Sequence, residues 1–323
     1  MKVLYSFFCV NGNLSMEIYR PRGTLARAIY DKFHNDKWLD EFDTTLWYNL
    51  NEELPYVFQR KFLPLLRPDE STIQWLEQAK LLSLNIWLHL WHAFARPFLK
   101  LFMTQTDING YLKRGSMFIL SEQQFAKLLR AANFNTNKET VNILDVGAGD
   151  GEISIRLLNS VKSLLQCAKV NVYATETSWA MRQRLKKRDF EVVENIKSVQ
   201  QVELISCLNV LDRCIDPFEI LQDMYNALAP SGHIILALVL PYMHYVEINS
   251  SHLPIRPLMS HWPEKSKQFS FEAEAKMFFE LLENIGFKID AWTKAPYLCE
   301  GDLHQSFYWL IDLVVVISKK NSL

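Results

Sequence analysis

The sequence predicts an α/β fold, with a seven-stranded, mostly parallel sheet and an N-terminal helical extension. Three observations lead to this fold class. From about residue 141 onward, strand-like apolar runs alternate with helix-like runs, as in a doubly wound sheet. The first of these apolar runs ends in a glycine-rich turn that opens a helix. Residues 1–110 instead carry apolar side chains at helical spacing, so we predict a helical extension at 1–110 and the α/β domain at 111–323.

Length, charge and cysteine content limit the class of protein. The 323 residues are 49% hydrophobic, which is enough to bury a large core. A net charge of -1 gives no field that would steer the chain to nucleic acid, so we expect no nucleic-acid partner. The five cysteines are scattered and form no C-x-x-C pair, which argues against a disulfide framework and a zinc site. We therefore predict no bound metal.

Three helices are predicted in the extension, at 24–34, 37–50 and 71–103. Ser71 is expected to cap the third helix, with Gln74 three residues on as its capping-box partner. This third helix carries an aromatic stripe. A membrane span is the alternative for it, but polar residues and a proline interrupt the run, which favours a buried or groove-lining helix and no transmembrane span.

Two further features of the extension have both a structural and a functional interpretation. His89 and His92 lie one helical turn apart, but no third ligand is evident, so we interpret them as helix-face histidines. Residues 1–10 hold one lysine and then mostly apolar residues. We interpret them as a buried strand, with a targeting segment as the alternative.

In the α/β domain, the pattern predicts strands and helices in alternation. Strands are predicted at 141–146, 170–175, near 192–193, 202–209, 233–240, 287–294 and 308–318. Helices are predicted at 121–132, 152–165, 178–188, 217–228 and 271–285. Asp216 is expected to cap the fourth of these helices and Gly286 to end the fifth. Residues 242–270 are predicted to be an irregular insertion of the kind that often acts as a lid or a substrate loop.

The glycine turn carries the strongest functional signal. Gly147, Gly149 and Gly151 follow the first strand in a D-x-G-x-G-x-G pattern. A dinucleotide fingerprint would need glycine at the position of Glu152, and a P-loop would need a lysine after its glycines. The pattern that remains is the first motif of Rossmann-like class I methyltransferases that use S-adenosylmethionine (SAM). Glu176, at the end of the second strand, is placed to accept both ribose hydroxyls of a nucleoside.

Polar residues also follow the fourth strand, where ligands bind in open parallel sheets. Asn209 and Asp212 lie there, in the segment that faces the transferable methyl group in SAM enzymes. For Asp212 the alternatives are a helix cap or an ion pair with Arg213. Arg114, in a basic turn before helix 121–132, either pairs with the carboxylate of SAM or is an ordinary solvated arginine.

Six runs of residues form a more specific pattern. They are RGSMF at 114–118, LDVGAGDGE at 144–152, ATE at 174–176, ISCLNVLDRC at 205–214, ILALVLP at 235–241 and PYLCEGD at 296–302. Together they resemble the DREV-type methyltransferase-like family, the protein-L-histidine N-pros-methyltransferases. The resemblance covers roughly residues 80–318. It implies methyl transfer from SAM to Nδ1 of histidine in His-x-His segments of target proteins, with S-adenosylhomocysteine as the product.

The resemblance also implies roles for individual residues. Glu176 would hold the ribose, Asn209 and Tyr297 would contact the cofactor, and Asp212 would face the substrate imidazole. The complete set of predicted cofactor-binding residues is Arg114, Gly147, Ala148, Gly149, Gly151, Glu176, Asn195, Asn209 and Tyr297, and the predicted catalytic residues are Asp212 and Asn209.

Other functions stay open at the level of sequence. The substrate could be a small imidazole compound or RNA, or the chain could be a non-catalytic interaction module with the same fold. We expect a monomer whose partners are proteins with His-x-His segments. The expected location is intracellular, with the endoplasmic reticulum or mitochondrion suggested by the resemblance and the cytoplasm otherwise. The chain contains no His-x-His triplet of its own, so efficient self-methylation is not expected.

Overall fold

A computed structural model gives the tertiary structure. It describes residues 21–85, 87, 89, 91, 108, 115–165, 169–246, 252–262 and 269–320. The predictions for residues 1–10, His92 and Arg114 therefore lie outside the described residues, as does most of the chain between 86 and 114.

Eight strands of the described chain form one sheet, one strand more than the sequence predicts. They are β1 (Met117–Phe118), β2 (Thr140–Val146), β3 (Lys169–Thr175), β4 (Glu191–Val192), β5 (Val202–Leu208), β6 (Leu228–Val239), β7 (Phe287–Glu300) and β8 (Phe307–Lys319). Their order is β1-β7-β8-β6-β5-β2-β3-β4. All pairings among β2 to β6 are parallel, whereas β8 is antiparallel to β6 and β7, and β1 is antiparallel to β7.

Helices pack on both faces of this sheet. They are α1 (Thr24–Glu41), α2 (Tyr56–Gln59), α3 (Glu70–Ser83), α4 (Glu122–Ala131), α5 (Glu152–Leu165), α6 (Trp179–Lys187), α7 (Pro217–Ala227) and α8 (Phe271–Ile285). Alternate residues of β2 enter different cores, because the side chains of a strand point to opposite faces. Val141 and Ile143 pack in the core that contains α4 and α5, and Leu144 and Val146 pack in the core that contains α7 and α8.

The helical extension differs from its prediction in three places. Helix α1 runs without a break from Thr24 to Glu41, and a 3₁₀ turn follows at Thr44–Trp47, so the predicted helix 37–50 is wrong. Helix α3 ends at Ser83, so the predicted helix 71–103 is interrupted there. The predicted cap of this helix is also wrong, because Asp69 caps α3 and accepts a hydrogen bond from the Thr72 N–H at 3.0 Å.

Two strands have different bounds from those predicted. Strand β6 begins at Leu228, before the predicted strand start at residue 233, because Leu228 already pairs with Val202 of β5. The β5 backbone comes so close there that a Cβ on Gly232 would lie 2.7 Å from the Val202 carbonyl oxygen. Strand β7 continues to Glu300, since its second half pairs with β8 on one side and its end pairs with β1 on the other.

Other local predictions are confirmed. Helix α5 has the predicted bounds, the Asp216 carboxylate caps α7, and Gly286 ends α8 in the left-handed conformation with φ +109°. The described parts of the insertion between 242 and 270 contain neither helix nor strand.

The helical extension packs against the sheet. Trp47 and Trp75 belong to the same buried cluster as residues of β7 and β8. The Leu63 N–H also donates to the Trp292 carbonyl of β7 at 2.8 Å. The extension therefore shares a core with the α/β domain, and the boundary at residue 110 stays a prediction.

Candidate active site

The glycine turn between β2 and α5 brings the backbone to the edge of open space. Gly147, Gly149 and Gly151 all have positive φ, at +70°, +56° and +83°. A Cβ on Gly147 would lie 2.6 Å from Val210 Cγ2, so packing alone requires glycine there. A Cβ on Gly149 would meet no described atom within 4 Å. Gly149 is therefore the position where a ligand can approach the backbone most closely.

The acid that follows the second long strand lies directly against this turn. One Glu176 oxygen accepts from the Gly149 N–H at 2.9 Å, and the other accepts from the Ser178 N–H at 2.7 Å. The N–H groups of Gly147 and Ala148 both donate to the carbonyl of the last residue of β3. The turn and the acid thus form one surface at the carboxyl edge of the sheet.

A narrow cavity that opens to solvent lies beside the turn. Its lining residues are Met117, Ile119, Asp145, Gly147, Ala148, Gly149, Asp150, Glu152, Ile153, Ser154, Leu208 and Tyr297. Tyr297 is 7% exposed, and its hydroxyl donates to Met117 Sδ at 2.6 Å. Strands β1 and β7, which are far apart in the sequence, therefore both supply walls of the cavity.

Asp145 is a buried carboxyl group in the wall of the cavity. The hydroxyls of Ser154 and Ser206 donate to its two oxygens. Burial raises the pKa of Asp145 to about 6, and these hydrogen bonds partly oppose that rise. The sequence places Asp145 in the glycine motif, but only the structure shows that it lines the cavity.

The chain that leads into β1 is tied to both β7 and α5. The N–H groups of Gly115 and Ser116 donate to Glu300 Oε2 at 3.0 and 3.2 Å. The Ser116 hydroxyl donates to Glu152 at the start of α5. Glu300 therefore anchors a wall of the cavity, which gives the PYLCEGD run a structural role.

Asn209 directly follows β5 at the carboxyl edge of the sheet. Its backbone is left-handed, with φ +56°, and its side chain is 7% exposed. The Nδ2 group donates to Asp312 Oδ2 of β8 at 2.9 Å, and no described residue is bonded to Asn209 Oδ1. Asn209 therefore presents a buried acceptor without a partner among the described residues.

Asp312 is a residue that sequence reasoning missed. It is fully buried, and burial raises its pKa to about 8, which its hydrogen bond from Asn209 partly opposes. The available signal was one carboxylate inside the otherwise apolar strand 309–317.

Asp212 is a buried carboxylate at the same edge. It is 4% exposed, and burial raises its pKa, which the nearby Arg213 partly opposes. The Arg213 Nε atom lies 3.7 Å from Asp212 Oδ2, but no described residue donates to Oδ1. Of the two alternatives for Asp212, the helix cap is wrong because Asp216 caps α7, whereas a loose ion pair with Arg213 is present.

The structure does not bring all predicted site residues together. Asn195 is exposed in the 3₁₀ turn after β4, where its Oδ1 accepts from the Ser198 hydroxyl at 3.2 Å, and it does not line the cavity. Gly151 faces α6, since its Cβ would lie 3.0 Å from Leu185. Their contacts with a cofactor, like that of Arg114, stay predictions.

Metal ligands do not cluster in the described ranges, where no group of three or more His, Cys, Asp or Glu side chains is arranged to hold an ion. In the same part of the chain, no helix has both the length and the apolar character needed to cross a bilayer.

The fold and the site define a class of protein. A glycine turn after the first long parallel strand, an acid against that turn and an adjoining cavity are the arrangement of class I SAM-dependent methyltransferases. The residues fit this cofactor, because Gly149 leaves its backbone open to a ligand and Glu176 lies beside it. The sequence model of the DREV methyltransferases matches residues 47–319, and the chain belongs to that family. Its methyl donor is SAM.

The solved structures to which this chain is similar are distant in sequence. The methyltransferase (CMeT) domain of the citrinin polyketide synthase is 20% identical, with a TM-score of 0.41, over 62% of this chain and 52% of that one. A TehB-like SAM-dependent methyltransferase from Corynebacterium glutamicum is 16% identical, with a TM-score of 0.33, over 62% and 98%. A ribosomal protein L11 methylase from Lactobacillus delbrueckii subsp. bulgaricus is 16% identical, with a TM-score of 0.35, over 63% and 82%. The chain thus spans about half of the first of these proteins.

Proposed function

We propose that this methyltransferase transfers a methyl group from SAM to Nδ1 of histidine in His-x-His segments of other proteins. The observation that carries the proposal is the buried Asp212 carboxylate, whose Oδ1 atom has no partner among the described residues. Asp212 follows β5, which lies next to β2, and β2 is the strand that leads into the glycine turn. The resemblance of the ISCLNVLDRC run to histidine methyltransferases supports the same substrate.

The chemistry of imidazole suits a single carboxylate. SAM supplies a methyl group on a positively charged sulfur. Histidine has a pKa of about 6.5 and is mostly neutral near pH 7, so the ring is already a nucleophile and needs no strong base. It does need the tautomer with the proton on Nε2 and a free lone pair on Nδ1. An acceptor for the Nε2–H selects that tautomer.

Asp212 is the residue we assign to this task. Its free oxygen would accept the Nε2–H and stabilise the imidazolium that forms, as an aspartate orients histidine in hydrolytic triads. Burial raises the pKa of Asp212, which makes the carboxylate a better acceptor as positive charge develops on the ring. Arg213, about half exposed beside it, opposes that rise and favours the ionised form.

The remaining predicted residues would hold the cofactor. Gly147, Ala148 and Gly149 would line the methionine and ribose side, and Glu176 would exchange its bond with the Gly149 N–H for the ribose hydroxyls. Tyr297, which lines the cavity, and Asn209, which follows β5 at the carboxyl edge of the sheet, would also contact the cofactor. Such positioning contributes much of the rate in a displacement that needs little acid–base help.

The test is a methyl-transfer assay with radiolabelled SAM on two matched peptides. One peptide contains His-Ala-His, and the control has alanine in place of both histidines. We expect label only on the first peptide and, after acid hydrolysis, only as the pros isomer. The tele isomer, or equal label on both peptides, would contradict the proposal. No label with intact SAM binding would favour a small imidazole or RNA as the substrate, and no SAM binding would favour a non-catalytic module.

A further inference from the structure

Asp312 is a buried carboxyl group whose place in the sheet connects it to the site. It lies in β8, paired with Val239 of β6 and Ala295 of β7. Val239 is the last residue of β6, so Asp312 lies at the carboxyl edge of the parallel strands, where Asn209 also lies. An acid inside an apolar strand carries a desolvation cost, so its presence calls for a physical reason.

The contact of Asp312 with Asn209 explains why a carboxyl group is kept in this strand. The Asn209 Nδ2 group donates to Asp312 Oδ2 at 2.9 Å. A carboxamide has a donor end and an acceptor end, and a half-turn about its last bond exchanges them. A carboxyl oxygen opposite one end attracts the donor, so the Asp312 side chain decides which end of Asn209 points away from β8.

We infer that Asp312 is a positioning residue, which accepts from Asn209 Nδ2 and thereby holds Asn209 Oδ1 toward the reaction edge beside Asp212. This inference rests on the proposed function, because it needs Asn209 to act on the substrate or the cofactor. Asn209 Oδ1 and Asp212 Oδ1 are both buried, and no described residue is bonded to either.

Two fixed acceptors at one edge restrict the class of substrate. An acceptor pair suits a group that brings N–H donors and becomes positively charged during methylation. An imidazole next to a peptide N–H is such a group, whereas a carboxylate substrate would meet only oxygen atoms. With its ends exchanged, Asn209 would present a donor beside Asp212 and lose this selectivity.

Asp312 faces several titratable groups, and they give the inference a measurable signature. Asp212 and Arg213 face it from the segment after β5, and Tyr297 and Cys299 come near it from β7. Burial and the charge of Asp212 raise the pKa of Asp312 to about 8. Near pH 7 it is therefore mainly protonated, and its Oδ2 atom accepts from the Asn209 carboxamide. Its ionisation at higher pH strengthens the hold on that carboxamide and adds a charge beside Asp212.

The experiment compares the full-length wild type with Asp312→Leu and the conservative variant Asp312→Asn. Asp312→Leu removes the acceptor for Asn209, and we expect kcat on the His-Ala-His peptide to fall about tenfold or more. Asp312→Asn keeps an oxygen that can accept from Asn209, so turnover should recover to within about threefold of the wild type at pH 7. The wild-type pH profile should show an inflection near pH 8 that Asp312→Asn lacks.

A double-mutant cycle separates positioning from a merely structural role. In an Asn209→Ala background, Asp312→Leu should cause no further loss, because the group it positions is already gone. Equal losses in both backgrounds would overturn the inference. So would wild-type turnover in Asp312→Leu, or an inflection near pH 8 that persists in Asp312→Asn.

Two further measurements keep the inference testable if Asp312→Leu does not fold or if the wild type does not methylate the peptide. If Asp312→Leu does not fold by circular dichroism, the pH profile of Asp312→Asn decides. If the wild type does not methylate the peptide, the proposed function fails, and SAM affinity is measured by calorimetry from about pH 6 to about pH 9, which brackets the pKa of Asp312. A wild-type change near pH 8 that Asp312→Asn lacks would then support the Asp312–Asn209 coupling by itself, and identical profiles would refute it.

Discussion

Two alanine substitutions in the glycine turn distinguish a glycine that packing requires from a glycine that ligand binding requires. Both Gly147 and Gly149 are left-handed, with φ +70° and +56°, so each substitution strains the backbone. Their surroundings differ. The new methyl group at position 147 would lie 2.6 Å from Val210 Cγ2, whereas at position 149 it would meet no described atom within 4 Å.

The magnitudes follow from these distances. A left-handed alanine costs roughly 1–2 kcal/mol in either variant. Gly147→Ala adds overpacking against Val210, which costs roughly 1–3 kcal/mol more. We therefore expect a loss of about 2–5 kcal/mol in the free energy of unfolding for Gly147→Ala and about 1–2 kcal/mol for Gly149→Ala. Gly149→Ala should instead weaken SAM binding by about tenfold or more, because its methyl group occupies the space of close backbone approach.

The assays are urea unfolding for stability and calorimetry for SAM affinity. Val210→Ala is the companion variant, since it removes the clashing Cγ2 atom. Gly147→Ala should cost clearly less stability in a Val210→Ala background than in the wild type. Wild-type SAM affinity in Gly149→Ala would refute the reasoning about ligand approach. Equal stability losses in the two alanine variants would refute the reasoning about packing.

Three further predictions concern the carboxylates. Asp212→Asn should lower kcat by about a hundredfold while SAM affinity changes little, because the amide is a weaker acceptor for the imidazolium. Equal losses in steady-state turnover and in SAM affinity measured by calorimetry would contradict this role. Glu176→Ala should weaken SAM binding by about 10- to 100-fold through the lost ribose bonds, with Glu176→Gln less affected, and unchanged affinity would exclude that contact. The raised pKa of Asp145, about 6 against an ordinary 3.8, means that the folded state binds this proton more tightly than the unfolded state. The free energy of unfolding should therefore fall by up to about 3 kcal/mol as the pH rises from about 4 to about 6, and urea titrations of Asp145→Asn should lack that component.

Much of the fold follows from local patterns in the sequence. The bounds of α5 match the prediction because a glycine turn fixes its start and an apolar helical stripe fixes its length. Strands β2, β3 and β5 agree with their predictions to within one residue at each end, since each run is rich in the β-branched and apolar residues that favour strands. Strand β1 is absent from the prediction because two residues carry no periodicity, and only pairing with β7 makes them a strand.

Helix caps and strand ends show where tertiary contacts override local signals. Ser71 and Asp69 are both good cap residues, but Asp69 also accepts from the Ser121 hydroxyl with its second oxygen, which fixes the cap two residues before the predicted one. Residues 230–232 have the composition of a turn, yet β5 pairs with Leu228 before them and with His233 after them, so they form an irregular part of β6.

In the site, the glycine turn, Glu176 and the polar residues after β5 are recognisable from the sequence, because each of these signals lies within a single strand–loop unit. Long-range pairing was needed to show that Asp312, 103 positions from Asn209, is its hydrogen-bond partner, and that Met117 and Tyr297 supply walls of one cavity. The physical reason is that a buried acid stands out in a sequence only as an exception to an apolar run. Its partner depends on which strands the sheet places side by side.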